Sequence, residues 1–318
     1  MPTVIITDHG FPGVELQRKV IEAAGFTLQE IKPNCKTEQE VIQKCGEADV
    51  LMVQWAPITR VVLEGLPRVR GVVRYGDGVD NIDVQIAREL GCMVSNVPYY
   101  CQDEVSDHAI AMILSLARRI PHDHNQVRAG KWGISPFLPI PAFSDLTFGF
   151  VAFGSIARKV SEKAKPFRFR QIAFDPVVSA DSFAKYGVEP VDRDTLIRTA
   201  NIISLHCPLL PETRQMINAG SIAQMKPGVL LVNTARGGLV NEADLVTALK
   251  AGKLAGAGLD VFEKEPLATG SPLRGLSNVI LTSHAAAVST RSRERLQIQA
   301  AEAARDILLG KRPAGALT

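Results

Sequence analysis

The sequence predicts an α/β protein built from doubly wound parallel sheets in two domains. Short apolar segments typical of buried strands alternate with helical segments along most of the chain, and the links between them are short. This alternation is typical of parallel sheets. The segment Thr147–Asp175 has the pattern of a strand, a small-residue turn, a helix and a second strand. A length of 318 residues is sufficient for two domains of ordinary size.

The first domain is predicted to alternate strands with helices. Its strands are Val4–Thr7, Val50–Gln54, Gly71–Arg74 and Met93–Asn96, and its helices are Gly13–Ala24, Val62–Leu66 and Ile82–Gly91. The segment Val97–Tyr100 breaks the alternation and marks a domain boundary. The helix Glu104–Ile120 follows and is apolar on more than one face, so we expect it to be buried, in part against a second subunit. A proline-rich loop is expected over Gly133–Phe143.

The second α/β unit begins at Thr147. Its later strands and one clear helix are Ile172–Phe174, Ile202–Leu205, Val229–Asn233, Gly258–Val261, Val279–Thr282 and the helix Glu242–Ala251. A last helix, Arg291–Leu309, ends at Gly310, a residue type that commonly follows a helix C terminus. Because this helix comes after the final strand, it is free to pack back on the first domain.

Composition excludes several functional classes. The 36 basic and 33 acidic residues leave a net charge of +3, which is too balanced for nucleic acid or acidic membranes to be the main partner. The longest apolar runs are too short to span a bilayer, and the N terminus lacks the features of a signal peptide. Five scattered cysteines without a C-x-x-C pair favour a reducing cytoplasm over a disulfide framework.

The segment Thr147–Asp175 is typical of a dinucleotide-binding unit, which carries the motif G-x-G-x-x-G between strand and helix. This chain has Ala152, Gly154 and Ala157 at the three glycine positions. Gly154 allows a pyrophosphate to approach the backbone, and alanine is an accepted variant at the third position. If the turn needs a positive φ at Ala152, the Cβ costs roughly 1–2 kcal/mol.

Two further features of this segment favour a dinucleotide. The amides of Ser155 and Ile156, at the start of the helix, can face a phosphate. Asp175 ends the second strand, where a carboxylate accepts hydrogen bonds from an adenosine ribose and repels a 2′-phosphate. Asp175 therefore favours NAD over NADP. The alternative for Asp175 is a structural role in a turn or a helix cap.

Three later clusters of polar residues each follow a predicted strand. The clusters are Asn233–Gly238, Gly258–Pro266 and Leu281–Ala286. Since ligands bind at the carboxyl ends of parallel strands, we expect these clusters to meet. Arg236 can bind a carboxylate, Glu265 can tune a neighbouring acid, and His284 can donate a proton, which is the set that reduction of a 2-keto acid by hydride needs. The alternative for each of these three side chains is an ordinary role as a surface or structural residue.

These residues resemble the D-isomer-specific 2-hydroxyacid dehydrogenase family, and the likeness covers nearly the whole chain. The matching segments are Val73–Asp83, Asn96–Arg119, Leu205–Asn218, Val232–Val240, Gly258–Pro266 and His284. The likeness is closest to members related to phosphoglycerate dehydrogenase and to the C-terminal-binding proteins. It implies a Rossmann-type cofactor domain, residues 99–288, inserted into a flavodoxin-like substrate domain, residues 1–98 and 289–318. It also implies a homodimer through the region 104–120.

The resemblance implies a role for each candidate residue. Arg236 would bind the carboxylate and carbonyl of the substrate, and His284 would protonate the carbonyl oxygen as hydride arrives from the nicotinamide of NAD(H). Glu265 would hydrogen-bond His284 and raise its pKa. The backbone amides of Asp77 and Gly78 would hold the substrate carboxylate. The implied cofactor contacts are Asp260 beside the nicotinamide, with His206, Cys207, Pro208, Thr213, Thr234 and Ala235 in the cleft. By position, the substrate pocket is expected to include Trp55, Tyr99 and Tyr100. We expect no metal.

The chain departs from the family pattern at several positions. Ala152 and Ala157 stand where the family has glycine, and Asp77 stands where it has a small or apolar residue. Ser283 replaces a usual proline before the histidine, and the basic segment Lys163–Arg170 replaces a short glycine turn. These changes concern cofactor affinity and substrate identity, and they leave the catalytic residue types intact.

The leading hypothesis is an NAD-dependent oxidoreductase that interconverts a small 2-keto acid and a D-2-hydroxy acid. An alternative from another class is an NAD(H)-sensing binding protein, similar to a corepressor, with little turnover; the altered glycine motif and Asp77 favour it. A third is a related dehydrogenase that acts on phosphite or formate. Glu265 argues against formate, because those enzymes usually carry glutamine there.

Overall fold

The computed structural model describes residues 1–133 and 140–318. The chain divides into two compact units, which we call the first unit (Met1–Tyr100 with Val288–Thr318) and the second unit (Cys101–Ala287). The central part of the loop expected over Gly133–Phe143 lies outside the described residues.

The strands and helices are numbered along the chain. The strands are β1 (Thr3–Ile6), β2 (Thr27–Glu30), β3 (Val50–Val53), β4 (Gly71–Arg74), β5 (Met93–Ser95), β6 (Thr147–Val151), β7 (Arg170–Phe174), β8 (Glu189–Pro190), β9 (Ile202–Leu205), β10 (Val229–Asn233), β11 (Leu254–Leu259) and β12 (Val279–Leu281). The helices are α1 (Glu15–Ala23), α2 (Glu38–Lys44), α3 (Arg60–Gly65), α4 (Val84–Glu89), α5 (Gln102–Ala117), α6 (Ile120–Arg128), α7 (Ser155–Ala164), α8 (Ala180–Tyr186), α9 (Arg193–Thr199), α10 (Ala219–Gln224), α11 (Glu242–Lys250) and α12 (Thr290–Leu308).

The first unit contains a parallel sheet in the order β2-β1-β3-β4-β5. This is the flavodoxin-like order. The central strands β1 and β3 are buried along their whole length, as their continuous apolar sequences require when both faces of a parallel sheet are covered. The C-terminal helix α12 packs against α1, β3 and β4, so the first unit contains both ends of the chain. The N terminus of α12 is capped by a capping box between Ser289 and Ser292.

The second unit contains a parallel sheet in the order β12-β11-β10-β9-β6-β7-β8. Counted from β6, this is the doubly wound dinucleotide-binding order 3-2-1-4-5-6 with a seventh strand added beside the sixth. The predicted fold class, two doubly wound parallel sheets, is confirmed. The carboxyl ends of β6, β10, β11 and β12 place the candidate loops at one edge of this sheet.

The long apolar helix is shorter than predicted. Helix α5 ends at Ala117, and a separate helix, α6, begins at Ile120. Arg119 separates them because it adopts a left-handed conformation, φ +57°, and Pro121 then opens α6. The apolar residues of α5 are buried within the second unit, where the helix packs against α7, β10 and β11.

Crossing a bilayer requires a helix that is both long and apolar. Across residues 1–133 and 140–318, no helix combines the length and the apolar character that crossing a membrane needs.

Candidate active site

His284 and Glu265 form a hydrogen-bonded pair in the second unit. Nδ1 of His284 lies 2.7 Å from Oε2 of Glu265. About half of the His284 side chain is exposed, and Glu265 is 36% exposed. A solvent-accessible imidazole with a carboxylate on one nitrogen is suited to exchange a proton at the other nitrogen.

The backbone of His284 is held by Asp260. His284 has a left-handed conformation, φ +55°, and its N–H donates to the carbonyl oxygen of Asp260 at 2.8 Å. The Asp260 carboxylate is buried and accepts from the N–H groups of Ala285 at 2.8 Å and Ala286 at 2.9 Å. It also accepts from the hydroxyl of Thr282 at 2.5 Å. Asp260 therefore binds the residues on both sides of His284.

Glu265 lies in the loop that follows β11. The two oxygens of its carboxylate have different partners. Oε1 accepts from the N–H of Phe262 at 3.0 Å, while Oε2 is bound to His284. Partial burial raises the pKa of Glu265, but the hydrogen bond and charge of His284, the Phe262 amide and the charge of Arg236 together lower it below its usual value. Glu265 is thus a carboxylate at neutral pH.

Arg236 lies in a turn directly after β10. Asn233 closes this turn, because its Oδ1 accepts from the N–H of Ala235 at 3.0 Å and its Nδ2 donates to the Arg236 carbonyl at 2.8 Å. Gly237 then passes against the backbone of Phe262, where an added Cβ would lie 1.9 Å from the carbonyl carbon. Only glycine fits there. The turn that carries Arg236 is therefore packed against the loop that leads to Glu265.

The predicted nucleotide segment forms the turn between β6 and α7. Ala152 has a φ of +68°, so the glycine-type conformation is present although the residue is alanine. Gly154 precedes the first residue of α7, and a Cβ added there would meet open space. The Asp175 carboxylate accepts from the N–H of Phe153 at 2.8 Å and from Val177 at 2.9 Å. Asp175 therefore has the structural role in a turn that the sequence left open, and it also links the end of β7 to the turn before α7.

His206 and Thr234 follow β9 and β10 and carry buried polar atoms. In the described part of the chain, Nε2 of His206 and Oγ1 of Thr234 have no hydrogen-bond partner. Burial lowers the pKa of His206 to about 4, so its imidazole is neutral at pH 7. Buried polar atoms of this kind usually bind a ligand or a water.

The other predicted cofactor residues lie in the same unit. Cys207 is buried, and burial raises the pKa of its thiol to about 11. The Thr213 hydroxyl donates to the carbonyl of Pro208 at 2.7 Å and accepts from the N–H of Leu210 at 2.8 Å, which fixes the loop after β9. The backbones of Ser155 and Ile156 begin α7.

The predicted substrate residues Trp55, Asp77, Gly78 and Tyr100 all lie in the first unit. Trp55 is exposed after β3, whereas Tyr100 is buried. The Asp77 side chain is exposed, and its carbonyl oxygen accepts from Nδ2 of Asn96 at 2.6 Å. This bond fixes the turn after β4. The roles of these four residues in substrate binding stay predictions.

Two polar side chains beside Asp260, His108 and Thr282, have no predicted role in the sequence. Nε2 of His108, on α5, lies 3.0 Å from the Thr282 hydroxyl and 3.8 Å from the Asp260 carboxylate. The available signal was a single histidine on an otherwise apolar face of the helix. Within the described ranges, no cluster of histidine, cysteine, aspartate or glutamate is arranged to hold a metal ion.

Comparison with known proteins identifies the family. Residues 110–286 match the family model described as D-isomer specific 2-hydroxyacid dehydrogenase, NAD binding domain. The chain is 38% identical over 275 residues to D-3-phosphoglycerate dehydrogenase from Synechocystis sp., a match that covers 86% of this chain and 49% of that protein. It is 33% identical over 301 residues to hydroxypyruvate reductase from Blautia hydrogenotrophica, covering 93% of each.

A solved structure gives the same result. D-lactate dehydrogenase from Aquifex aeolicus, crystallised with NAD and lactic acid, superposes with a TM-score of 0.85 at 27% identity, covering 97% of this chain and 96% of that one. This chain spans about half the length of several D-3-phosphoglycerate dehydrogenases that it matches, and nearly the full length of the hydroxypyruvate reductase. The chain belongs to the D-isomer specific 2-hydroxyacid dehydrogenase family.

Proposed function

We propose that this protein interconverts a small 2-keto acid and the corresponding D-2-hydroxy acid, with NAD as the hydride carrier. The observation that carries the proposal is the 2.7 Å hydrogen bond between His284 and Glu265, in the unit that also carries Arg236. These side chains provide a proton donor, a carboxylate that orients it and a cation for the substrate carboxylate. Membership of the family supports the same reaction.

The hydrogen bond between the two side chains assigns the proton positions on His284. An ionised Glu265 can only accept, so Nδ1 of His284 carries the hydrogen of that bond. The proton that moves is therefore on Nε2. In reduction, the imidazolium gives this proton to the carbonyl oxygen as the alcohol forms. In oxidation, the neutral Nε2 takes the proton from the hydroxyl group.

Arg236 would fix the substrate for this transfer. A guanidinium binds a carboxylate through two parallel N–H groups, which sets the orientation of a 2-keto acid as well as its position. The close packing at Gly237 holds the Arg236 turn against the loop that leads to Glu265. The anion-binding group and the proton-donating pair are thus supported by one packed backbone contact.

The nucleotide would be held by residues of the second unit. When bound, NADH supplies the hydride for reduction, and NAD⁺ accepts it in the reverse direction. Gly154 leaves room for a pyrophosphate at the start of α7, where Ser155 and Ile156 present their amides. Asp175 would bind the adenosine ribose. The remaining proposed contacts are His206, Cys207, Pro208, Thr213, Thr234, Ala235 and Asp260. The buried, unpartnered atoms of His206 and Thr234 fit such a ligand.

The test is a panel of 2-keto acids, including glyoxylate, hydroxypyruvate and pyruvate, assayed with NADH and with NADPH. We expect NADH to be oxidised with at least one of them, and NADH to be preferred because Asp175 disfavours a 2′-phosphate. Flat NADH absorbance across the panel would contradict the proposal.

A nucleotide-sensing protein with little turnover is the second candidate. The observation in its favour is Ala152, whose backbone has a conformation suited to glycine in the nucleotide turn. Tight NADH binding in calorimetry, without oxidation of NADH by any acid of the panel, would support this candidate. Absence of nucleotide binding would contradict both.

We also propose that the protein is a homodimer in a reducing cytoplasm. The region 104–120 was expected to form the interface, but α5 is largely buried within its own unit. Helix α6 has no buried residue, and Ile120, Val127 and Trp132 are 56%, 53% and 92% exposed. We therefore place the interface on α6 and on the described residues that follow it, as far as Trp132. The five cysteines are buried and none of them forms a disulfide, which is compatible with a reducing compartment.

A further inference from the structure

We propose that His108 is a positioning residue that holds His284 in its reactive conformation through Thr282 and Asp260. This inference rests on the proposed role of His284 as the proton donor. The four residues form a continuous path in the second unit: His108 contacts the Thr282 hydroxyl, Thr282 contacts the Asp260 carboxylate, and Asp260 binds the backbone of His284.

The direction of each hydrogen bond follows from the donors that are present. The Thr282 hydroxyl has one hydrogen, and it points to Oδ1 of Asp260 at 2.5 Å, because a carboxylate oxygen can only accept. The Thr282 oxygen must then accept from Nε2 of His108, 3.0 Å away. Nε2 of His108 therefore carries a hydrogen. Both hydrogen bonds are therefore donated in the same direction, from His108 on α5 to Thr282 and from Thr282 to the buried Asp260 carboxylate.

The conformation of His284 needs this support. Its φ of +55° lies in the left-handed region, which is unfavourable for a residue other than glycine. Asp260 holds the peptides around it, since its carbonyl binds the His284 N–H and its carboxylate binds those of Ala285 and Ala286. A carboxylate that rotated away from these groups would release His284 from the position in which it meets Glu265.

His108 is a suitable anchor because α5 is fixed to the same sheet. The helix packs against β10 and β11, the strands that end in the Arg236 turn and in Asp260. Two glycines of β11 permit this close packing, since a Cβ added at Gly258 would lie 3.0 Å from Sδ of Met112. His108 is therefore held by a helix that packs on the sheet. Its Nε2 donates to the Thr282 hydroxyl and lies 3.8 Å from the Asp260 carboxylate.

The test uses two pairs of variants and one control. Thr282→Val and His108→Leu remove the hydroxyl and the N–H donor, whereas Thr282→Ser and His108→Gln keep a hydroxyl and an N–H group at similar positions. Thr247→Val, on an exposed face of α11, removes a hydroxyl that binds only its own helix. The measurements are kcat and KM for a reducible 2-keto acid, the NADH dissociation constant, and amide hydrogen exchange at Ala285 and Ala286.

We expect Thr282→Val and His108→Leu to lower kcat roughly 10- to 100-fold, the size of effect that follows from misplacing a reacting group. KM stays near wild type, the NADH dissociation constant changes by less than kcat because Asp260 is only one of several proposed nucleotide contacts, and exchange at Ala285 and Ala286 becomes faster. Thr282→Ser and His108→Gln restore most of kcat and of the exchange protection.

The inference is overturned if Thr282→Val and His108→Leu match Thr247→Val in kcat, or if the exchange at Ala285 and Ala286 does not change. It is also overturned if the conservative variants lose as much kcat as the disruptive ones. Absence of turnover by the wild-type protein contradicts the proposed function alone, because hydrogen exchange still reports whether His108 and Thr282 hold this backbone.

Discussion

Ala152 is strained within the nucleotide turn. Its φ is +68°, and the surrounding bonds leave little freedom to change it. Its N–H donates to the Phe174 carbonyl at 2.8 Å, and the next residue, Phe153, donates to Asp175. The turn therefore keeps the backbone geometry of a glycine while it carries a methyl group, which costs about 1 kcal/mol relative to glycine.

We predict that Ala152→Gly raises the free energy of unfolding by about 1 kcal/mol. Urea titration measures the change, and the NADH dissociation constant shows whether the strain also weakens binding. Ala157→Gly is the matched control, because Ala157 is buried inside α7 and glycine there should destabilise by about 1 kcal/mol. If both variants lose stability, Ala152 is not strained. An unchanged dissociation constant in Ala152→Gly would confine the strain to stability.

His206 gives the stability of the apoprotein a pH dependence. Burial lowers the pKa of His206 to about 4, whereas an unfolded histidine titrates near pH 6.5. Between these values the unfolded chain binds more protons, so stability is complete above pH 6.5 and falls as the pH falls toward 4.

We predict that wild type loses up to about 2 kcal/mol more stability than His206→Gln between pH 7 and pH 5. Urea unfolding of both proteins at the two pH values measures this difference. Parallel pH profiles for wild type and His206→Gln would show that His206 is not buried in its neutral form.

At this scale, the sequence predicts the residues that carry chemistry better than those that support them. Residue type and family resemblance identified His284 and Glu265, which the structure places 2.7 Å apart. The contacts of Thr282 and His108 could not be predicted, because 174 residues separate them and neither has a distinctive neighbour in the sequence. The positive φ of Ala152 was recognised only as a possibility, since alanine does not reveal backbone conformation.

The strand β11 shows why element boundaries were harder to predict than element types. It covers Leu254–Leu259, whereas the sequence indicated Gly258–Val261. Its composition, L-A-G-A-G-L, has large apolar residues only at its two ends and lacks the β-branched and aromatic residues typical of a strand. The small residues are required because α5 packs on this strand, and a Cβ at Gly256 would lie 2.8 Å from the Asn278 carbonyl. A tertiary contact, absent from local sequence, therefore decided the composition.

One edge strand of the first unit, β2, was also missed. The strand β2 has the sequence T-L-Q-E and is only partly buried, so it has no apolar run. Strands β1 and β3 were predicted nearly to the residue, because they are buried along their length and rich in valine, isoleucine and leucine. Burial on both faces therefore made β1 and β3 recognisable from the sequence.

The helices that follow the domain boundary also differ from the prediction. The sequence predicted one helix over Glu104–Ile120, and the structure divides this region at Arg119. An arginine in a left-handed conformation has no sequence signature. The division leaves α6 without buried residues, which changes where an interface is expected.

For the whole molecule, the alternation of strands and helices was sufficient to predict two doubly wound sheets. Right-handed crossovers limit the possible strand orders without choosing among them, because the same alternation gives the order 2-1-3-4-5 in the first unit and a different order in the second. Family membership then connects the second unit with NAD. Assembly has no comparable signal in the sequence.

We predict that Ile120→Glu with Val127→Glu converts a dimer into a monomer, because charged side chains would be buried at the interface. Light scattering after size-exclusion chromatography measures the mass. Leu210→Glu is the control, since Leu210 is similarly exposed, at 48%, on another loop. A wild-type monomer, or a double variant that remains dimeric, would contradict the proposed interface.

The most direct test of the central claim is kcat/KM for reduction of the best 2-keto acid by NADH, measured for wild type and His284→Ala. Loss of the proton donor should lower kcat/KM by about 10²–10⁴-fold, the usual contribution of general acid catalysis. Thr247→Val, which removes a hydroxyl that binds only within α11, should be indistinguishable from wild type. If His284→Ala retained the wild-type kcat/KM, the pair formed by His284 and Glu265 would not be the proton-donating centre, and the proposed mechanism would be wrong.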